Sequence, residues 1–163
     1  MLTHLEFRSG LFPAYEGEEE QINPGIFGKR LAEFIVRGLR SEGFACEDPG
    51  NEDWGWHIEV ENPGFRLWIG CACLGPDGDF LVFIEPHKAF VWRLWRPFHR
   101  FETVSAVSRL QVTLDTIFTE ESGILDKGWF AHESTTAPGR PAKGREPGRR
   151  AIRGRRRIRC GFW

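Results

Sequence analysis

The chain is poor in sulfur and phenol: one methionine, one tyrosine and four cysteines stand among 163 residues. The cysteines, Cys46, Cys71, Cys73 and Cys160, show neither a disulfide framework nor the paired spacing of a zinc site, so a reducing, cytoplasmic setting is expected. Long apolar runs are missing as well. None approaches the roughly 18–20 residues that cross a bilayer, so no membrane association is expected. The opening MLTHLEFRSG lacks a basic region followed by an apolar stretch, so it does not read as a secretory signal. There is no glycine-rich phosphate loop and no G-x-S-x-G elbow. His4, His57, His87, His99 and His132 show no ligand pairing at helical or strand spacing, so neither a metal nor a cofactor is expected.

What the chain does have is large rigid side chains, seven Trp and fourteen Phe, which let a modest core bury much apolar area. It also has a divided charge. Residues 1–130 carry 21 acidic and 12 basic side chains, a balance of −9, whereas residues 131–163 carry 2 and 10, a balance of +8. Such a split reads as a body and a tail. One domain is expected over 1–130. The tail, rich in Arg, Gly and Pro and without periodicity, is expected to be disordered. Its nine Arg against one Lys suit three readings: polyanion binding, folding back on the acidic body, or an out-of-frame extension of GC-rich codons.

The body reads as an α+β fold: a three-strand antiparallel meander with short edge strands, and two helices packed on one face. A first short strand is expected from His4 to Arg8. Tyr15 to Gln21, YEGEEEQ, reads as a solvated acidic loop. Asn23–Pro24 carries the signature of a helix start, with Asn as cap and Pro in the first turn. Phe27, Leu31, Phe34, Ile35 and Leu39 then recur at helical spacing, and Gly43 ends the run. A second helix is expected from Val104 to about Glu120, with Val107, Leu110, Leu114, Ile117 and Phe118 inward, before a last short strand over 124–130.

The meander gives the sharpest reading. Alternation from Trp54 to Glu85, broken by Pro63–Gly64 and by Gly75-Pro76-Asp77-Gly78, pairs Ile58 with Ile69 and Ile69 with Ile84. It places Trp54 and Trp56 on the core face. A slip of one residue would turn every core side chain outward. On the opposite face His57, Gly70 and Phe83 form one cross-strand row, and Glu59, Trp68 and Glu85 form the next. Two carboxylates flanking an indole suit a cation, and Gly70 leaves a gap beside them. The function expected of that face is non-catalytic binding of a basic protein or cationic ligand. The bland alternative is a wet sheet face with Arg66 neutralising Glu61. A hydrolase using Glu59 and Glu85 as an acid/base pair with His57 is a further alternative. So is a homodimer interface on Trp68, Leu81 and Phe83.

The segment Pro86 to Phe101 interleaves Lys88, Arg93, Arg96 and Arg100 with aromatic rings. Together with Arg155, Arg156 and Arg157 of the tail it forms a nucleic-acid-binding alternative. The plainer expectation is a crossover that sinks its rings into the core while the Arg heads reach water.

The strings INPGIFGKRLAEFIVRGLRSEGF, EDWGW, FRLWIGC and FIEPHK, in that order, resemble a group of small bacterial cytoplasmic proteins of no known activity. The resemblance covers about residues 5–130 and implies no substrate, cofactor or catalytic residue. It also implies that the chain would end soon after the last short strand, which favours the out-of-frame reading of 131–163.

Overall fold

The structure is a computed structural model that describes residues 1–75, 78–92 and 100–132. Among the described residues eight strands and three helices follow in the order β1 (Leu2–Arg8), α1 (Glu18–Gln21), α2 (Lys29–Ser41), β2 (Gly50–Glu52), β3 (Gly55–Val60), β4 (Leu67–Cys73), β5 (Asp79–Glu85), β6 (Phe90–Trp92), β7 (Arg100–Glu102), α3 (Val104–Glu120) and β8 (Leu125–Ala131). Six strands form one antiparallel sheet in the order β2-β3-β4-β5-β1-β8, and β6 and β7 pair as a separate hairpin. Among the described residues no helix is long and apolar enough to cross a membrane.

The meander has the register that its alternation dictates. Ile58 faces Ile69, Trp56 faces Cys71, Ile69 faces Ile84 and Cys73 faces Phe80. The first strand is more than a short edge: β1 lies between β5 and β8, with Leu5 and Phe7 buried on the core face. Helix α3 spans the expected residues and buries the expected five. It packs over β1 and β5, while α2 covers β3 and β4. The two helices approach closely at Gly38, where an added Cβ would lie 2.8 Å from Ile117 Cδ1. Phe7, Phe12, Phe34, Phe80 and Phe118 interlock beneath them at centroid distances of 4.9 to 6.3 Å. At the far edge Asp115 of α3 accepts from Lys127 Nζ (2.7 Å) and Trp129 Nε1 (2.9 Å) of β8. The Lys127 hydrogen bond holds the Asp115 carboxyl below its usual value.

The start of α2 differs from the sequence expectation. The helix begins at Lys29, and Asn23 spends its amide on the Asp53 carbonyl (2.8 Å) instead of capping. The anion for the helix N-terminus comes from the supposedly solvated acidic loop. Glu18 is only 1% exposed, and its Oε1 accepts from the Gly28 and Lys29 amides and from Trp56 Nε1, at 2.8, 2.8 and 2.9 Å. Its Oε2 accepts from the Tyr15 amide at 2.9 Å. The orphan amides of a helix N-terminus, with their partial positive charge, are a natural seat for a carboxylate. The other end of α2 closes as expected: Gly43 takes a left-handed φ of 79°, and the Phe44 amide donates to Leu39 O at 2.9 Å.

Trp54 also departs from expectation. It sits in the two-residue turn between β2 and β3, so strand alternation begins only at Gly55, and its ring lies on the outer face. The two-helix layer therefore covers Trp56 alone. The tail from 133 onward, and with it Cys160, lies outside the described residues.

Truncating Glu18 strands four N–H donors, three of them around one buried oxygen. Glu18→Ala is expected to cost about 3–5 kcal/mol in urea unfolding, and Glu18→Gln, which keeps an acceptor oxygen, distinctly less. Equal midpoints for wild type and Glu18→Ala would show that the carboxylate does not anchor the helix.

Candidate binding site at the rim of the outer sheet face

The outer face carries the two rows that the register defines. His57 faces Gly70, which faces Phe83; Glu59 faces Trp68, which faces Glu85. The centre of this face is closed, however. An added Cβ at Gly70 would lie 2.2 Å from Phe83 Cζ, so the ring from the neighbouring strand fills the gap that the sequence leaves there. Phe83 is 7% exposed and packs against Trp54 (5.2 Å between centroids) and Trp68 (5.5 Å). Leu81 is buried within the same chain, so the expected homodimer surface of Trp68, Leu81 and Phe83 is largely spent on intrachain packing. His57 Nδ1 lies 3.6 Å from Glu52 Oε1 on β2.

Both carboxylates of the second row already hold a partner from their own chain. Arg66 pairs with Glu59, not with Glu61: its Nε donates to Glu59 Oε1 at 2.6 Å and its Nη2 donates to the same oxygen. Arg66 precedes β4, and its long side chain reaches diagonally along the face, over the Trp68 ring at 5.6 Å. Glu85 accepts from the His87 amide (3.0 Å), and its Oε1 lies 2.8 Å from His87 Nδ1. Trp68 stands between Glu59 and Glu85, and each carboxylate is already engaged within the chain, an arrangement unsuited to a free acid/base pair. The thiols are equally unsuited to attack: burial pushes the pKa of Cys71 and Cys73 up.

A group that no local spacing assembles lies beside this row. Placing β1 between β5 and β8 brings His4, His87 and His132 together. His87 stacks on His132 (4.1 Å, 17°), and His4 lies 5.2 Å from His132 and stacks on Phe83 at 5.7 Å. Burial, aided by His132 and His87 and opposed by Glu85, lowers the His4 pKa from 6.5 to about 4. Among the described residues no cluster of His, Cys, Asp or Glu is arranged to hold a metal.

Among the described residues a wide open concavity lies at the rim, where the β3–β4 turn meets the β6–β7 hairpin. Phe101 packs on Gly64, and Thr103 ties the hairpin down through its amide to Ala89 O (3.1 Å) and its hydroxyl to Lys88 O. The cleft between them measures about 1130 Å³ and is lined by Glu47, Glu59, Glu61, Arg66, Trp92 and Phe101, among others. Backbone bonds fix the acidic wall: Glu47 N–H to Glu59 O at 3.0 Å and Glu61 N–H to Ala45 O at 2.8 Å. Among the described lining residues three carboxylates face one cation, Arg66. Trp92 is 67% exposed and Phe90 39% exposed, so these two rings do not sink into the core as the crossover reading expects. Arg100 lies 3.6 Å over Phe90, and Lys88 is exposed. Arg93, Arg96, Arg155, Arg156 and Arg157 lie outside the described residues.

The His4 shift has a definite sign. The folded state binds fewer protons than the unfolded one between pH 6.5 and about 4, so the stability tied to His4 is intact above pH 6.5 and is lost as pH falls through that window. The loss is about 2 kcal/mol once discounted for screening at a part-exposed ring. In denaturant titrations at pH 7 and pH 4, His4→Gln is expected to fall by that much less than wild type. Parallel losses would contradict the assignment.

No family model, no curated protein and no solved structure matches the chain.

Proposed function

We propose that the domain is a non-catalytic binding module for a basic protein or cationic ligand, and that the ligand enters the rim cleft, not the centre of the outer face. The cleft carries this reading. It combines Glu47, Glu59 and Glu61 with the exposed Trp92 and with Phe101, in a body whose charge balance over 1–130 is −9. Carboxylates beside an accessible indole attract a cation both by charge and through the ring face. The negative field around them favours encounter with a basic partner and disfavours a polyanion.

A second reading, single-stranded nucleic acid on the hairpin, draws on the exposed Trp92 and on Arg100 over Phe90. It predicts binding that falls steeply with salt and survives neutralisation of the acidic wall.

The test is titration of the full chain with a short Arg- and Lys-containing peptide, followed by tryptophan fluorescence. A charge-assisted contact is worth roughly 1.5–3 kcal/mol, so Glu47→Gln combined with Glu61→Gln should weaken binding at least about tenfold, with the unfolding midpoint kept. Unchanged affinity would remove the cleft from the account. Binding of an oligonucleotide in place of the peptide would select the second reading.

A further inference from the structure

We propose that the cleft selects a guanidinium group, and that Arg66 is the chain's own occupant of that position, displaced from Glu59 when an arginine-bearing basic peptide binds. This rests on the cation-binding reading above and names the ligand class and the step that admits it.

Arg66 already shows how a guanidinium sits there. Two of its N–H groups meet Glu59 Oε1, and its Cζ lies over the Trp68 ring, 5.6 Å from the centroid. A planar, delocalised cation with forked donors suits a carboxylate next to an indole, whereas an ammonium offers neither the plane nor the fork. The internal arginine is loosely committed. Its side chain is 65% exposed, it stands outside the β4 ladder, and an ion pair that exposed is worth only about 0–1 kcal/mol. Releasing it to water therefore costs little, and its departure leaves Glu47, Glu59 and Glu61 facing the cleft without the cation that Arg66 supplies among the described lining residues.

The surroundings favour side-chain capture over strand addition. The edge of β3 at this end is closed by the Cys46–Val60 bridge and by the backbone bonds of Ala45 and Glu47, so an incoming peptide finds no free ladder there. On the opposite lip Trp92 offers an exposed ring for a second cation. An arginine entering at Glu59 would exchange one guanidinium for another on the same carboxylate and gain Glu47 and Glu61 nearby.

The experiment titrates wild type, Arg66→Gln, Arg66→Lys and the Glu59→Gln/Arg66→Gln double variant, all as full chains, with two matched peptides. One is acetyl-Gly-Arg-Gly-Arg-Gly-amide and the other carries Lys in place of Arg. Arg66→Gln should bind the arginine peptide about fivefold more tightly than wild type, since an exposed ion pair of up to 1 kcal/mol no longer competes. The lysine peptide should gain less than twofold, Arg66→Lys should fall between, and the double variant should lose the gain, as coupling through Glu59 requires. Equal tightening for both peptides would reduce the effect to net charge and overturn the proposal, as would no tightening in Arg66→Gln or Arg66→Lys. If wild type binds and the variants do not gain, displacement fails and the binding reading stands. If no protein binds either peptide, both fall.

Discussion

The carboxylate of Glu18 is the point on which the fold depends. It takes hydrogen bonds from the first turn of α2, from the indole of the first inward residue of β3 and from the loop that follows β1. One buried charge thereby fixes where α2 starts and which strands it covers. A carboxylate buried at a helix N-terminus is tolerable only because all its bonds are made, which makes it specific as well as stabilising. With α2 held over β3 and β4, and α3 over β1 and β5, both helices lie on one side of the sheet. Neither is available to cover the other.

The outer face is instead sealed from within the sheet. Phe83 leans across Gly70, Trp54 and Trp68 close around it, and Arg66 and His87 engage the two carboxylates. The features that make the face look like a binding site in sequence are thus largely satisfied by one another. Among the described residues the rim stays open, where the hairpin of β6 and β7 meets the β3–β4 turn and Glu47, Glu59 and Glu61 line a cleft.

The meander was legible because its period of two and its Pro-Gly turns admit one register, and α3 because five apolar residues mark one helical face. Other features resist reading for physical reasons. Four glutamates in six residues look alike in sequence, and only the tertiary position of Gly28 and Trp56 selects Glu18 for burial. Trp54 has the parity of a core residue, yet a tight turn at 53–54 restarts the alternation. The three histidines come together only because β1 inserts between β5 and β8, a long-range pairing that no local spacing encodes. The row of Glu59, Trp68 and Glu85 was legible as an arrangement. That Arg66 would fill it was not, since the register sets Arg66 opposite Glu61 and only its side-chain length lets it choose Glu59.

The most direct measurement is an amide and indole NMR titration of the full chain with the arginine peptide. The account predicts that shifts concentrate at Glu47, at residues 59–66, at Phe101 and at the Trp92 indole, while Gly70, Phe83 and the Trp56 indole stay in place. Largest shifts at His57, Gly70 and Phe83 would mean that the sealed centre opens to ligand, and would contradict the placement of the site at the rim.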